Sequence, residues 1–341
     1  FAAYLRAFAE ARGVRRIDAR VAEVLRDGES ERIQGIRLDS GETLKAGLYL
    51  DCSGFHRLLI EKSLQSGFVD WRHWLMCDRA VALPCAHAAA ANLAPYTRAR
   101  ALPAGWSWRI PLQNRVGNGY VYSSDHLSDE QAINTLRREL EGEALAEPNV
   151  VRFRAGHVRR FWIGNCVAIG LSAGFLEPLE STAISLIQMG IDKLLHFWPD
   201  EPIASPLAAE YNRLSITEYE RIRDFIILHY SANGRTGADD GELWRYCREM
   251  PLPDTLARKI EAWRARGLLR QFDSESFFEP SWLCMYGNLG VEAGSWSPLT
   301  NLLPLKDLEE VTRRVREDIR RTAGGATPHR EFLALAGAWA S

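Results

Sequence analysis

Apolar positions along the chain change period several times, and each change marks an element. The opening FAAYLRAFAEARG gathers its apolar residues on one face at helical spacing, which predicts an amphipathic helix. From Arg15 to Gly54, short β-rich runs alternate with the turn signals DGES and DSGE and end in the strand LYLDCSG. A second β-rich tract runs from LMCDRAVALP through GWSWRIPLQNRVGNGYVYSS to VVRFRAGHVRRFWIGNCVAIG. One helix interrupts it, SDEQAINTLRRELEGEA, with Ser128 or Asp129 as its cap. In GFLEPLESTAISLIQMGIDKLLHFWP, Gly174 to Pro199, the pair Ser181-Thr182 reads as a helix start and Pro199 lies just past its end. Ile184, Ile187, Ile191 and Leu194 recur at helical spacing, while Leu186, Met189, Leu195 and Phe197 fill the other faces, so this helix is expected to be mostly buried. Beyond it the chain is largely helical, interrupted at Pro251 and Pro253 and by SPLTNLLPLKD, and this helical tail is expected to pack on the rest. The overall expectation is an α/β (α+β mixed) fold.

Composition removes several function classes. A net charge of −2 and a pI near 6.5 argue against a nucleic-acid or anionic-membrane surface. The six cysteines are scattered, with no CxxC pair and no Cys/His cluster at metal spacing, so free, mostly buried thiols in a reducing compartment are expected and no metal site. No apolar run reaches the roughly 18 residues of a membrane span. A soluble, cytoplasmic protein is the expectation. The first residues include no initiator Met and no basic n-region, and they read as a chain entered in the middle.

Two places carry candidate chemistry. Asp51, Ser53 and Gly54 stand where one buried strand exits, and Gly170, Leu171, Ser172 and Ala173 where another does. Each could be a plain strand-to-helix turn. Together they suggest a cofactor cleft at the carboxyl ends of parallel strands, although a GxGxxG fingerprint is absent and GNLGVEAG has the wrong spacing. The second place is the pair Glu177 and Glu180 before the apolar helix. Glu180 either favours the helix dipole from a loop or faces a cleft as a functional carboxylate.

LYLDCSGFHRLLI, GWSWRIP with its Trp106, Trp108, Ile110 and Pro111, NRVGNGYVYSS, and GNCVAIGLSAGFLEPLESTAISLI follow one another in an order that resembles the flavin-dependent tryptophan halogenases, within the glutathione-reductase-like FAD monooxygenases. The resemblance spans nearly the whole chain and weakens in the C-terminal helices. It implies that residues 1–66 and 161–200 belong to an FAD-binding domain, 67–160 to an inserted mixed β-sheet domain and 201–341 to a C-terminal helical subdomain. It also implies a reaction: reduced FAD activates O₂, a bound chloride or bromide is oxidised to hypohalous acid, and that oxidant halogenates an aromatic ring in a separate pocket. Glu180 matches the carboxylate that polarises the oxidant and takes the ring proton, Thr182 and Ala183 match the halide-binding amides, and Glu177 matches a more structural position. Asp51 to Gly54 and Gly170 to Ala173 match flavin-site residues.

The departures from the pattern bear on activity and substrate. The glycine-rich FAD fingerprint and the lysine that positions the hypohalous acid match nothing in this sequence, so no catalytic lysine is assigned and the chain by itself is expected to be inactive. The segment that sandwiches and clamps free tryptophan is shortened in FDSESFFEPSWLCMYGNLG, and Phe277 and Phe278 lack the hydroxyls of the matching tyrosines. With Trp282 they are expected to line a wider, more apolar pocket for an indole-like ring, with packing of the helical tail as the other reading. Ala183 stands where the tryptophan enzymes have glycine, which bears on chloride against bromide. The expected protein is a halogenase of electron-rich aromatics other than free tryptophan, served by a separate flavin reductase and compatible with a homodimer. An FAD-dependent hydroxylase and a degenerate flavin- or ligand-binding protein are the alternatives.

Overall fold

A computed structural model describes residues 1–26, 28, 31–88, 93–199, 205–236 and 240–337. The DGES turn and the boundary expected at 200/201 fall largely outside them. The chain forms two compact units, the first made of Phe1–Val69, Val158–Gly174 and Ile184–Ser215, the second of Asp70–His157, Phe175–Ala183 and Ile216–Ser341.

The first unit is built on two small sheets. Val21–Arg26, Ile33–Leu38 and Thr43–Leu44 pair antiparallel in that order. Tyr49–Asp51 runs parallel to Cys166–Ala168, with Ala168 opposite Asp51, and the hairpin partner Trp162–Ile163 lies on the other side of Cys166–Ala168. The buried Asn165 joins the two sheets: its Oδ1 accepts the Ile33 amide at 2.8 Å and its Nδ2 donates to the Ile33 carbonyl at 3.0 Å. This satisfies polar backbone that would otherwise be buried unpaired. The helix Ala183–His196 gives this unit a narrow stripe of Leu186, Gly190 and Leu194. Ile184, Ile191 and Leu195 are exposed, so the expectation of a mostly buried helix is corrected. A stripe at i, i+4 and i+8 covers only one side of a helix; Ile187 and Met189 are half-buried, while Ile184, Ile191 and Leu195 face outward.

The second unit centres on a five-stranded sheet in the order Asn149–Arg152, Arg79–Ala82, Val116–Tyr122, Gly105–Pro111, Arg98–Leu102, with all four pairings antiparallel. Alternation along the strands separates two faces. Tyr120 and Tyr122 join Val81, Leu83 and Leu102 against Ala132 and Leu136 of the helix Asp129–Glu139. Ser128 caps that helix in a complete capping box with Gln131, the start expected from the sequence. Trp106 and Trp108 occupy the opposite face, Trp106 paired with Val121 and Trp108 with Gly119. A Cβ on Gly119 would overlap the Trp108 indole, so the glycine makes room for the ring. The helices from Ile216 onward belong to this unit, although Leu305–Gly324 buries none of its residues. No described helix is long and apolar enough to cross a membrane.

Candidate active site

In the first unit, the two strand ends singled out from sequence lie side by side. Asp51 closes its own loop: its carboxylate accepts the Ser53 amide at 3.0 Å, the Ser53 hydroxyl at 2.6 Å, and the Leu59 and Ile60 amides at 2.8 Å each. Ser53 Oγ accepts the Leu58 amide at 2.8 Å. Across the pair, Ser172 Oγ lies against the carbonyl of Asp51, and the Ile169 amide donates to that carbonyl at 3.1 Å. Gly54 and Gly170 both take positive φ, 67° and 74°, and a Cβ on Gly54 would meet nothing within 4 Å. Asp51, Ser172 and Ala173 are buried and shape the turns, whereas Ser53, Gly54, Gly170 and Leu171 stay partly exposed at their surface. A backbone-lined, sterically open surface at the carboxyl ends of parallel strands fits the close approach of a nucleotide cofactor.

The second unit holds the two glutamates at either end of one short turn. Pro178–Glu180 is a single 3₁₀ turn, followed by Ser181 in the left-handed region at φ 55°. Glu177 is fully buried. Its Oε1 accepts Trp106 Nε1 at 3.1 Å and the Tyr230 hydroxyl at 2.7 Å, and Oε2 lies 3.0 Å from the same hydroxyl. Cys77 Sγ is 3.4 Å from that hydroxyl on its other side. Burial pushes Glu177 up to about 7, against the opposing pull of the Tyr230 and Trp106 hydrogen bonds and of His229. Burial also pushes Tyr230 and Cys77 up. Glu180 is in a different setting: its side chain is 30% exposed and its Oε1 lies 2.7 Å from Nε2 of His229, whose Nδ1 faces the Phe225 carbonyl at 2.8 Å. Thr182 is buried with its Oγ1 unpaired among the described residues, and its amide and that of Ala183, at the helix start, have no intrahelical acceptor.

Beside the turn is a cavity of about 420 Å³ walled by Trp106, Leu179, His229, Tyr230, Trp244 and Leu289. Phe277, Phe278 and Trp282 do not line it. Phe277 stacks on Phe225 at 3.9 Å, and Trp282 is buried edge-on to Phe225, with its Nε1 donating to Glu275 at 3.0 Å. Lys259 pairs with Glu275 and lies over the Trp282 ring at 4.1 Å. Phe278 is 71% exposed. These contacts are those of packing in the helical tail, the other reading open at the sequence level. Among the described residues no His/Cys/Asp/Glu cluster could hold a metal ion, and all six cysteines are free. Sequence reasoning missed His229 and Tyr230. Their only signal was a polar pair closing the apolar run DFIILHYS.

A family model for tryptophan halogenase matches residues 1–304, and the chain belongs to that family. It is 35% identical to the tryptophan 7-halogenase RebH of Lentzea aerocolonigenes over 97% of this chain and 65% of RebH. To the tryptophan 7-halogenase KtzQ of Kutzneria sp. (strain 744) it is 43% identical over 68% of this chain and 44% of KtzQ. Among solved structures, BrvH, a flavin-dependent halogenase from Brevundimonas sp. BAL3, superposes with a TM-score of 0.94 at 44% identity, covering 100% of this chain and 68% of BrvH. Xcc4156, a flavin-dependent halogenase from Xanthomonas campestris, gives 0.92 at 41% identity, covering 98% and 66%. The chain therefore spans between about half and two thirds of the length of these relatives, and its fold is their α/β fold.

Proposed function

We propose that this chain carries the halide-handling and ring-deprotonating part of a flavin-dependent halogenase acting on an indole or another electron-rich aromatic in preference to free tryptophan. Ser53, Gly54, Gly170 and Leu171 would hold FAD, which, once reduced by a separate flavin reductase, would supply the electrons for activating O₂. Asp51, Ser172 and Ala173 hold those turns in shape. The amides of Thr182 and Ala183 bind chloride or bromide, as a helix start with unpaired N–H groups favours an anion. Glu180 directs hypohalous acid to the ring and takes the proton that the halogenated ring releases, a general-base task. The observation that carries this reading is the placement of Glu180: a partly exposed carboxylate with one oxygen held by His229, two residues from the unpaired hydroxyl of Thr182. The substrate preference rests on the shortened segment FDSESFFEPSWLCMYGNLG, which lacks the stretch that clamps an amino-acid head group in the tryptophan enzymes.

The test uses full-length protein with FAD, a flavin reductase and bromide, offered indole and free tryptophan in competition. Brominated indole is the expected main product, and Glu180→Gln is expected to lower halogenated product per flavin oxidised by roughly 10²–10⁴-fold while the protein's thermal stability stays near wild type. Preferential bromination of free tryptophan refutes the substrate assignment. Hydroxylated product without halogen indicates the monooxygenase chemistry instead, and retained turnover with lowered stability leaves Glu180 a helix-dipole residue.

A further inference from the structure

Two consecutive residues near the end of the helix Ser205–Ser231 grip the two ends of the Glu177–Glu180 turn: Tyr230 holds Glu177 and His229 holds Glu180. The hydrogen positions on His229 follow from its neighbours. A carbonyl oxygen cannot donate, so Nδ1 facing Phe225 carries its hydrogen, and a 2.7 Å approach of Nε2 to a carboxylate oxygen requires a second hydrogen on that axis. The imidazole is thus anchored at one nitrogen by backbone and reaches Glu180 with the other. Only Oε1 of Glu180 is engaged; among the described residues Oε2 receives no hydrogen bond. A single contact whose carboxylate is partly open to solvent adds little to folding. Its effect is on aim, because pinning one oxygen of a carboxylate fixes the plane in which the other points.

We propose that His229 is the positioning residue for Glu180: its Nε2–H holds Oε1 so that Oε2 is presented to the ring carbon that must lose its proton. The proposal rests on the reading of Glu180 given above. In the step concerned, the C–H bond of the halogenated ring breaks, its electron pair returns to the ring and the proton goes to Oε2, while His229 keeps its own hydrogens throughout. In this step His229 therefore acts through Glu180.

The experiment compares His229→Ala, His229→Gln, Glu180→Gln and the double variant Glu180→Gln/His229→Ala in full-length protein with FAD, reductase, bromide and indole. Alanine is compatible with the helix, and the amide nitrogen of glutamine reaches about where Nε2 lies, so it can donate to Oε1. His229→Ala should lower kcat on the order of 10²-fold with KM for indole within about threefold, as expected for a misplaced catalytic group. His229→Gln should recover at least about tenfold of that loss, and His229→Ala should cost nothing further in the Glu180→Gln background. A kcat for His229→Ala within about threefold of wild type overturns the proposal. So does failure of glutamine to recover activity, or a full His229→Ala loss that persists without Glu180. A readout independent of turnover is the ¹⁵N resonance of the His229 imidazole, in which the Nε2 signal should move on Glu180→Gln. An unmoved signal overturns the pairing, whereas absence of halogenation by the wild type, with the signal still shifting, refutes the proposed function and leaves the pairing standing.

Discussion

Replacing Glu177 by glutamine removes a buried charge while keeping the shape and most hydrogen bonds of the site. In the folded chain this carboxyl is pushed from its ordinary 4.5 up to about 7 because it is fully buried. The folded state therefore holds its proton over a range in which the unfolded chain has already lost it. Stability from this group is fully present below about pH 4.5, falls as the pH rises from there to about 7, and is flat above. About 2.5 pH units at about 1.4 kcal/mol each give a loss of about 3 kcal/mol across that window, since a buried group is not screened by solvent. Glutamine does not titrate. Its oxygen can accept Trp106 Nε1 and the Tyr230 hydroxyl, and its nitrogen can take the Oε2 position beside the same hydroxyl. Glu177→Gln should thus unfold more reluctantly than wild type by about 1–3 kcal/mol at pH 8, the lower figure allowing for imperfect amide geometry, and match it closely near pH 5. Urea or guanidinium unfolding at half-unit steps between pH 5 and 8 measures this directly. Parallel pH curves for variant and wild type would show that Glu177 does not carry the buried charge assigned to it.

Two further changes test the frame around the sites. Asp51→Asn can keep an oxygen for the Leu59 and Ile60 amides only by turning its nitrogen toward Ser53, where the backbone amide loses its acceptor; the expected cost is about 1–3 kcal/mol, read by chemical denaturation, together with weaker FAD binding in a flavin titration. Gly119→Ala forces the Trp108 indole off its seat and should cost about 1–3 kcal/mol, with a change in tryptophan fluorescence that a surface glycine substitution would not give.

What was legible in the sequence is what is encoded locally. The capped start of Asp129–Glu139, the alternation that puts Trp106 and Trp108 on one face of their strand, and the glycines that release the two strand ends are all decided within a few residues. The partners of those residues are not. Trp106 and Glu177 are 71 positions apart and Glu177 and Tyr230 are 53, so no period or cap announces the network they share. Trp282 shows the same limit from the other direction. An aromatic beside two phenylalanines is compatible with a ligand pocket or a core, and only the arrival of Phe225 and Lys259 from other helices, next to the nearby Glu275, makes it core. The helix Ala183–His196 misled for a related reason: apolar residues fall on several of its faces, but the fold fully buries one stripe.

Glu177 and Glu180 share a turn and a residue type, and their environments divide the work between them. One has both oxygens against the same hydroxyl, no exposure and a charge that folding disfavours. Its value is to hold the turn between the sheet, through Trp106, and the helix, through Tyr230. The other has one oxygen with no hydrogen bond among the described residues, partial exposure and the His229 imidazole at its back. Under this division the same Glu→Gln exchange gives two different signatures: at position 177 it changes how stability depends on pH, and at position 180 it changes halogenated product per flavin oxidised with little trace in unfolding. The reverse assignment, with a pH-dependent gain in stability from Glu180→Gln, would mean that the exposed carboxylate is the one the fold strains against.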